Sequence, residues 1–186
     1  MGSVIDSKQQ TQIVTAHQIN IQVAKQLADL VRSTLGPYGM DKEMVDHAGG
    51  VVMTNDGATI LKETKLNHPT AKIIAEVART QEENCYDGTT TSVVITGELM
   101  DKASPLLAMK IHPTRIAKGY VMANAKAQEL LQDIAIEVND ELLLNVAITA
   151  MTGKSVEAAQ ATLAQIALEV TKSTTLENIS IVKRPN

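Results

Sequence analysis

The chain contains no Phe and no Trp, and only three Tyr among its 186 residues. Most protein interiors take much of their burial from large rings. Here the interior must be assembled from Leu, Ile, Val, Met and Ala. That disfavours immunoglobulin-like sandwiches, propellers and modules that stack bases on aromatic side chains. It favours Ala-rich helices packed closely on one another.

Charge narrows the options further. Seventeen Lys and Arg against 21 Asp and Glu give a net charge of -4, and the densest basic run is Lys183-Arg184. An electrostatic nucleic-acid footprint is not expected. One cysteine, Cys85, permits no internal disulfide and suits a reducing compartment. There is no signal-peptide pattern at the N-terminus and no apolar run of about 18 residues for a membrane span. The expectation is a cytoplasmic protein without membrane or nucleic-acid partners.

Apolar periodicity and turn residues divide the chain. Residues 1–16 are polar and read as a flexible arm. A helix is expected from about 17 to 35, with Ile19, Val23, Leu27, Leu30 and Val31 on one face, stopped by Gly36-Pro37-Tyr38-Gly39. A hairpin is expected over 44–53, turning at Gly49-Gly50. A short helix follows through Ile60-Leu61. Pro69 opens a helix to about 84, carrying Ile73, Ile74, Val77 and Ala78. A further helix runs to about 104, before Pro105. Val93, Gly97, Met100 and Ser104 share one of its faces. The next spans about 113–133, with Ile116, Tyr120, Ala123, Ala127 and Leu130 on one side. Asn139-Asp140 caps a helix over 141–152. Ser155 is expected to cap the last helix and Ala159, Leu163, Ile166 and Val170 to be buried on it. Residues 178–182 read as a strand. A terminal strand needs a partner, so the chain is expected to be cut rather than finished there.

Three loops have chemical character. Leu35-Gly36-Pro37-Tyr38-Gly39 follows a helix, Thr54-Asn55-Asp56-Gly57 follows a strand, and Asp87-Gly88-Thr89-Thr90-Thr91 feeds a helix start. A helix start leaves about four N–H groups unpaired at the positive end of the dipole. Gly88 allows close approach to the backbone, and Thr89, Thr90 and Thr91 add hydroxyl donors, so the segment can cradle phosphate. Asp87 offers a hard oxygen ligand for Mg²⁺, and Asp56 could position a water or make a second metal contact. Taken singly, each motif is also an ordinary cap or turn, and caps are the commoner case. His17, His47, His68 and His112 have no metal-ligand spacing. Cys85 reads as a small packed thiol, the eight Met as core filler, and Glu82-Glu83 as a solvated helix face.

The collinear order of these segments carries a resemblance. Arg32-Ser33-Thr34-Leu35-Gly36-Pro37, Gly39-Met40-Asp41-Lys42, Thr54-Asn55-Asp56-Gly57-Ala58-Thr59-Ile60-Leu61 and Asp87-Gly88-Thr89-Thr90-Thr91 resemble the group II chaperonins. These comprise the archaeal thermosome and its eukaryotic cytosolic relatives. Ile111-His112-Pro113-Thr114, Thr149-Ala150-Met151-Thr152-Gly153-Lys154 and Glu177-Asn178-Ile179-Ser180-Ile181-Val182 extend the match, which covers about residues 17 to 185. The archaeal subunits look closest.

The resemblance implies a mainly α fold. Residues 17–143 would form the N-terminal half of an equatorial ATP-binding domain, a helical bundle with a small β-hairpin. Residues 144–186 would begin a helical intermediate domain, with the apical domain and the C-terminal equatorial half absent. It implies ATP and Mg²⁺ as cofactors. Leu35, Gly36 and Pro37 match the loop along the phosphates, and Gly88, Thr89, Thr90 and Thr91 the phosphate cradle. Asp87 matches the Mg²⁺ ligand. Asp56 and Gly57 match the acidic loop near the attacking water, which makes Asp56 the catalytic candidate. The 44–53 hairpin matches the one that takes up strands of a neighbouring subunit. Partners are therefore expected to be chaperonin subunits or a second copy through 44–53. Unfolded clients are expected only where an apical domain is joined. The implied role is ATP-dependent protein folding in a ring, with weak or no turnover by this chain alone; the alternative is a non-catalytic interaction module. Two residues depart from the motifs. Tyr38 stands where the family usually has Lys, and Tyr86 where it has Gly. Where the glycine supplies a special backbone angle, Tyr86 adopts it only at a cost of about 1 kcal/mol or more; alternatively its ring would crowd the phosphates.

Overall fold

The computed structural model describes residues 7–45, 49–64, 66–154, 156–175, 178–180 and 182, with side chains from residue 16 onward. The chain divides into two compact units, residues 1–133 and 134–186. The domain boundary expected at 143/144 falls inside a helix of the second unit.

The first unit is a helical bundle with one hairpin. Its elements are α1 (Ser7–Arg32), β1 (Lys42–Val45), β2 (Val51–Thr54), α2 (Gly57–Glu63), α3 (Pro69–Cys85), α4 (Thr89–Ala108) and α5 (Pro113–Ile134). Helix α1 begins at Ser7, so residues 7–16, read from their polarity as an arm, are helical in backbone. Strands β1 and β2 pair antiparallel, with Lys42 opposite Thr54 and Val45 opposite Val51.

Every side chain at the centre of the core is aliphatic. Ala24, Leu27 and Val31 of α1 meet Ile60 and Leu61 of α2, Ala71, Ile74 and Ala78 of α3, and Val93 and Val94 of α4. Small residues set the spacing. A Cβ on Gly97 of α4 would lie 2.3 Å from the Cβ of Ala28 and 3.1 Å from the Ala24 carbonyl oxygen. Helices α1 and α4 therefore touch almost backbone to backbone. Arg32 pairs with Glu98 and Lys25 with Asp101 along the same seam, which makes the two helices antiparallel. Thr70, at the start of α3, donates to Asn20 at 2.9 Å, so α3 runs in the direction of α1.

The aliphatic periodicity held in part. Ile19, Ile73 and Leu130 lie exposed, as do Ala123 and Ala127. On α1 the buried stripe is Ile21, Ala24, Leu27, Ala28 and Val31, because alanines rather than large residues face α4. On α5 only Ile116 is buried. Pro105 lies inside the last turn of α4 rather than after it. A missing N–H is cheapest near a helix end, and the Met109 N–H still reaches the Pro105 carbonyl at 3.0 Å. Four of the methionines, Met40, Met53, Met109 and Met122, are exposed rather than core filler. Cys85 is also exposed, because it ends α3 in a solvent-facing turn.

The second unit contains α6 (Asp140–Met151), a 3₁₀ turn over Glu157–Ala159, and α7 (Gln160–Ser173). Asn139 caps α6 as its sequence suggests, accepting the Leu142 N–H at 2.8 Å. Ser155 lies outside the described residues. Helix α7 buries Ala164, while Leu163, Ile166 and Ala159 are exposed and Val170 is half-buried. Among the described residues of α7, Ala164 is the buried one and Leu168 is half-buried with Val170. The described part of 178–182 is not a strand, and β1 pairs with β2 rather than with that segment. Among the described residues, no helix is long and apolar enough to cross a membrane.

Candidate functional site

Chain direction carries the three loops toward one end of the first unit, and a hydrogen bond joins two of them, at Asp56 and Thr89. Because α1 and α4 are antiparallel, the segment leaving α1 at Arg32 lies at the same end of the bundle as the start of α4. Helix α3 enters that end and turns through Tyr86-Asp87-Gly88 into α4. Strand β2 delivers Asp56 to α2 there.

Asp56 is the best-fixed residue. It caps α2, its Oδ2 accepting both the N–H and the hydroxyl of Thr59 at 2.8 Å. Such a cap is worth about 1 kcal/mol. Its other oxygen accepts the Thr89 hydroxyl at 3.3 Å, and its own N–H donates to the Thr54 hydroxyl at 3.1 Å. Two of the sequence motifs are thus directly bonded to each other. Gly57 explains how they come so close. A Cβ there would sit 2.6 Å from Thr90 Oγ1 and 3.0 Å from Thr90 Cα, so any side chain would push α2 off α4.

The turn from α3 into α4 needs two successive departures from ordinary backbone. Tyr86 takes φ 56 and ψ 8 as the C-cap of α3, and Gly88 takes φ 78 and ψ 15 as the N-cap of α4. Glycine adopts this left-handed region freely; tyrosine pays about 1–2 kcal/mol. Backbone cost, one of the two consequences foreseen for Tyr86, is therefore present, and the ring itself is 73% exposed. Asp87 Oδ1 accepts the Gly88 N–H at 2.7 Å, and Gln81 Nε2 donates to the Asp87 carbonyl at 2.8 Å. Both Thr89 and Thr90 are buried, whereas Thr91 is exposed. The three hydroxyls are consequently not equivalent: Thr89 serves Asp56, and Thr90 packs against Gly57.

Leu35, Gly36 and Pro37 form the exposed part of a tight turn. Gly36 takes φ 85, the Gly39 N–H donates to the Gly36 carbonyl at 2.9 Å, and the Met40 N–H to the Ser33 carbonyl at 2.8 Å. Tyr38 is 97% exposed at its tip.

The residues that sequence reasoning missed are the supports. Thr59 stands three positions after Asp56, a capping interval that could have been read. Gln81, six positions before Asp87, gives no local signal because its role depends on the α3–α4 turn. The candidate metal set is a single exposed carboxylate, Asp87. No cluster of three His, Cys, Asp or Glu side chains exists among the described residues. That suits Mg²⁺, which takes one or two carboxylates together with phosphate oxygens and water. His68 and His112 are instead local caps, accepting from the Thr70 and Thr114 N–H groups.

A cleft opens beside the Asp56 cap, with Thr59 on its wall. It measures about 340 Å³ between α2 and α3, with Lys62, Lys72, Glu76 and Arg79 on its walls. Arg79 holds Glu76 and Glu83 on the exposed face of α3. Its hydrogen bond to Glu76 lowers that carboxyl below its ordinary range.

Comparison with known proteins identifies the family of the chain. Residues 27–186 match the model of the TCP-1/cpn60 chaperonin family. The chain is 55% identical over 158 residues to thermosome subunit beta of Methanothermobacter thermautotrophicus, covering 84% of this chain and 29% of that protein. It is 52% identical over 160 residues to thermosome subunits of Methanopyrus kandleri and Pyrococcus horikoshii, with the same coverage. The chain thus spans about 29% of the length of these relatives. With 160 residues matched in one unbroken stretch and more than half of the aligned positions identical, the chain belongs to the TCP-1/cpn60 chaperonin family.

Proposed function

We propose that the first unit is the N-terminal half of an equatorial domain and supplies the phosphate and Mg²⁺ side of an ATP site. Residues from about 144 would begin an intermediate domain. The observation that carries this reading is the bond from Thr89 to Asp56. It joins an acidic loop to a helix start entered through a left-handed glycine, which places a carboxylate beside backbone donors suited to phosphate. Gly88 and the α4 start would hold phosphate oxygens, with Leu35, Gly36 and Pro37 alongside. Asp87 would ligate the cation, which when bound neutralises phosphate charge. Asp56, held by Thr59 and Thr89, would orient a water. The family context for this half-site is ATP-driven protein folding in a cytoplasmic ring.

Calorimetric titration with Mg-ATP tests the reading. Micromolar binding is expected for the 186-residue chain, lost at least tenfold in Asp87→Ala, with little or no turnover. Absence of binding by the unmodified chain, or equal binding by the variant, would overturn it.

A second reading, an interaction module, draws on the hairpin. Both β1 and β2 are edge strands, and Val45, Val51 and Met53 are exposed on them. Such edges add strands from a partner. Co-sedimentation with intact thermosome rings is the measurement, and failure to co-sediment removes this reading.

A further inference from the structure

The turn from α3 into α4 holds a residue in a conformation that its own chemistry disfavours. Tyr86, at φ 56 and ψ 8, lacks the freedom of a glycine there. Strained backbone of this kind persists only where neighbouring contacts fix it. The hydrogen bonds of the turn differ in what they span. The bond from the Tyr86 N–H to the Glu82 carbonyl, at 2.9 Å, lies upstream of the Tyr86 torsions. The bond from the Gly88 N–H to Asp87 Oδ1, at 2.7 Å, lies downstream of them. Rotation at Tyr86 breaks neither. The bond from Gln81 Nε2 to the Asp87 carbonyl, at 2.8 Å, spans both torsions and is lost when they change. Every residue from Arg79 to Asp87 is exposed except Gln81, which is half-buried. A Cβ on Gly88 would lie 3.2 Å from the same Gln81 nitrogen, so the amide packs against the turn as well as bonding to it.

We propose that Gln81 is a positioning residue, which holds Tyr86 left-handed and so sets the direction of the Asp87 carboxylate and the Gly88 N–H. Without its amide, Tyr86 relaxes toward ordinary backbone. Gly88, which turns freely, absorbs the compensating rotation. The cation ligand and the start of α4 then lose their common orientation. The turn thus has a closed form and a relaxed form, and the closed one is competent to bind. Apparent affinity falls in proportion to the competent fraction. Methionine separates the hydrogen bond from its surroundings. It is as good a helix former as glutamine, and it keeps an unbranched side chain of similar length beside Gly88 while lacking the donor. That Asp87 and Gly88 serve a nucleotide rests on the ATP-site reading; that Gln81 holds the turn does not.

Two measurements on the 186-residue chain test the inference, the first without nucleotide. The Cα and Cβ chemical shifts of Tyr86 report its φ and ψ. They are expected at left-handed values in the unmodified chain and displaced toward helical or extended values in Gln81→Met. Left-handed shifts in both chains overturn the inference. The second measurement is calorimetric titration with Mg-ATP. Gln81→Met should weaken binding about tenfold. Tyr86→Gly should bind at least as tightly as the unmodified chain. Adding Tyr86→Gly to Gln81→Met should recover most of the loss, because glycine takes the left-handed form without help. A loss that Tyr86→Gly does not recover would mean that Gln81 acts by some route other than Tyr86, and overturns the inference. So does a Gln81→Met chain that binds as tightly as the unmodified one. Absence of binding by all of these chains would remove the ATP-site reading instead, and the Tyr86 shifts would still decide the role of Gln81.

Discussion

Replacing Ile60 with alanine is expected to cost about 2–5 kcal/mol, the range for emptying a fully buried aliphatic site. Ile60 has no exposed surface and lies with Leu61, Val31 and Val93 in the aliphatic core. No aromatic ring exists nearby to swing into the gap, and branched aliphatic neighbours relax poorly into a cavity. Helix α2 has only seven residues, far too few to persist without tertiary packing. Its position rests on Ile60 and Leu61. Urea unfolding followed by circular dichroism should show a lower midpoint with little change in slope. The variant should also loosen Asp56, because the Ile60 N–H donates to the Asp56 carbonyl at 3.0 Å. Destabilisation under 1 kcal/mol would mean that α2 is not anchored through this residue.

The second large effect is at Gly97. Alanine is the better helix former by about 0.8–1.0 kcal/mol, so on an isolated helix Gly97→Ala would stabilise. Here the added methyl would lie 2.3 Å from the Ala28 methyl, where contact between carbons needs about 3.5–4.0 Å. Helices α1 and α4 must separate, and overpacking of this kind costs about 1–3 kcal/mol. Sterics win over propensity, and the net change is expected to be destabilising. Ala28→Gly in the same chain removes the opposing methyl and should recover part of the loss. A non-additive double-mutant cycle is the decisive readout. A stabilised Gly97→Ala variant would show that the helices are not in such close approach.

How much of this was written in the sequence depends on the scale of the signal. Turn and cap residues are local, so the hairpin at 44–53, the Pro69 helix start and the Asn139 cap were readable from adjacent residues. The same holds for Gly88 before α4. Burial was less legible. The aliphatic stripe on α1 pointed toward Ile19, yet the packed face is lined by Ala24 and Ala28, because Gly97 lets α4 approach only where side chains are small. Hydrophobicity ranks isoleucine above alanine, whereas close packing inverts the order. Helix α7 shows the same inversion, with Ala164 inside and Ile166 outside. The site motifs were each ambiguous with ordinary caps, and Asp56 is indeed a cap. What no single motif could reveal was that Asp56 and Thr89, 33 positions apart, are bonded. A backbone cost at Tyr86 was foreshadowed by its standing where the resembled family has Gly; that the backbone is left-handed came only from the fold.

Thr54 closes β2, and its hydroxyl accepts the Asp56 N–H, while Asp56 accepts the Thr89 hydroxyl. Two hydrogen bonds therefore connect the end of an open sheet edge to the start of α4. Thermodynamic linkage gives this relay a reciprocal meaning. If a strand added to the hairpin alters anion affinity at α4 by some factor, the anion must alter strand affinity by that same factor. The hairpin and the helix start would then be two ends of one equilibrium, and titrating either ligand in the presence of the other would yield a single coupling free energy.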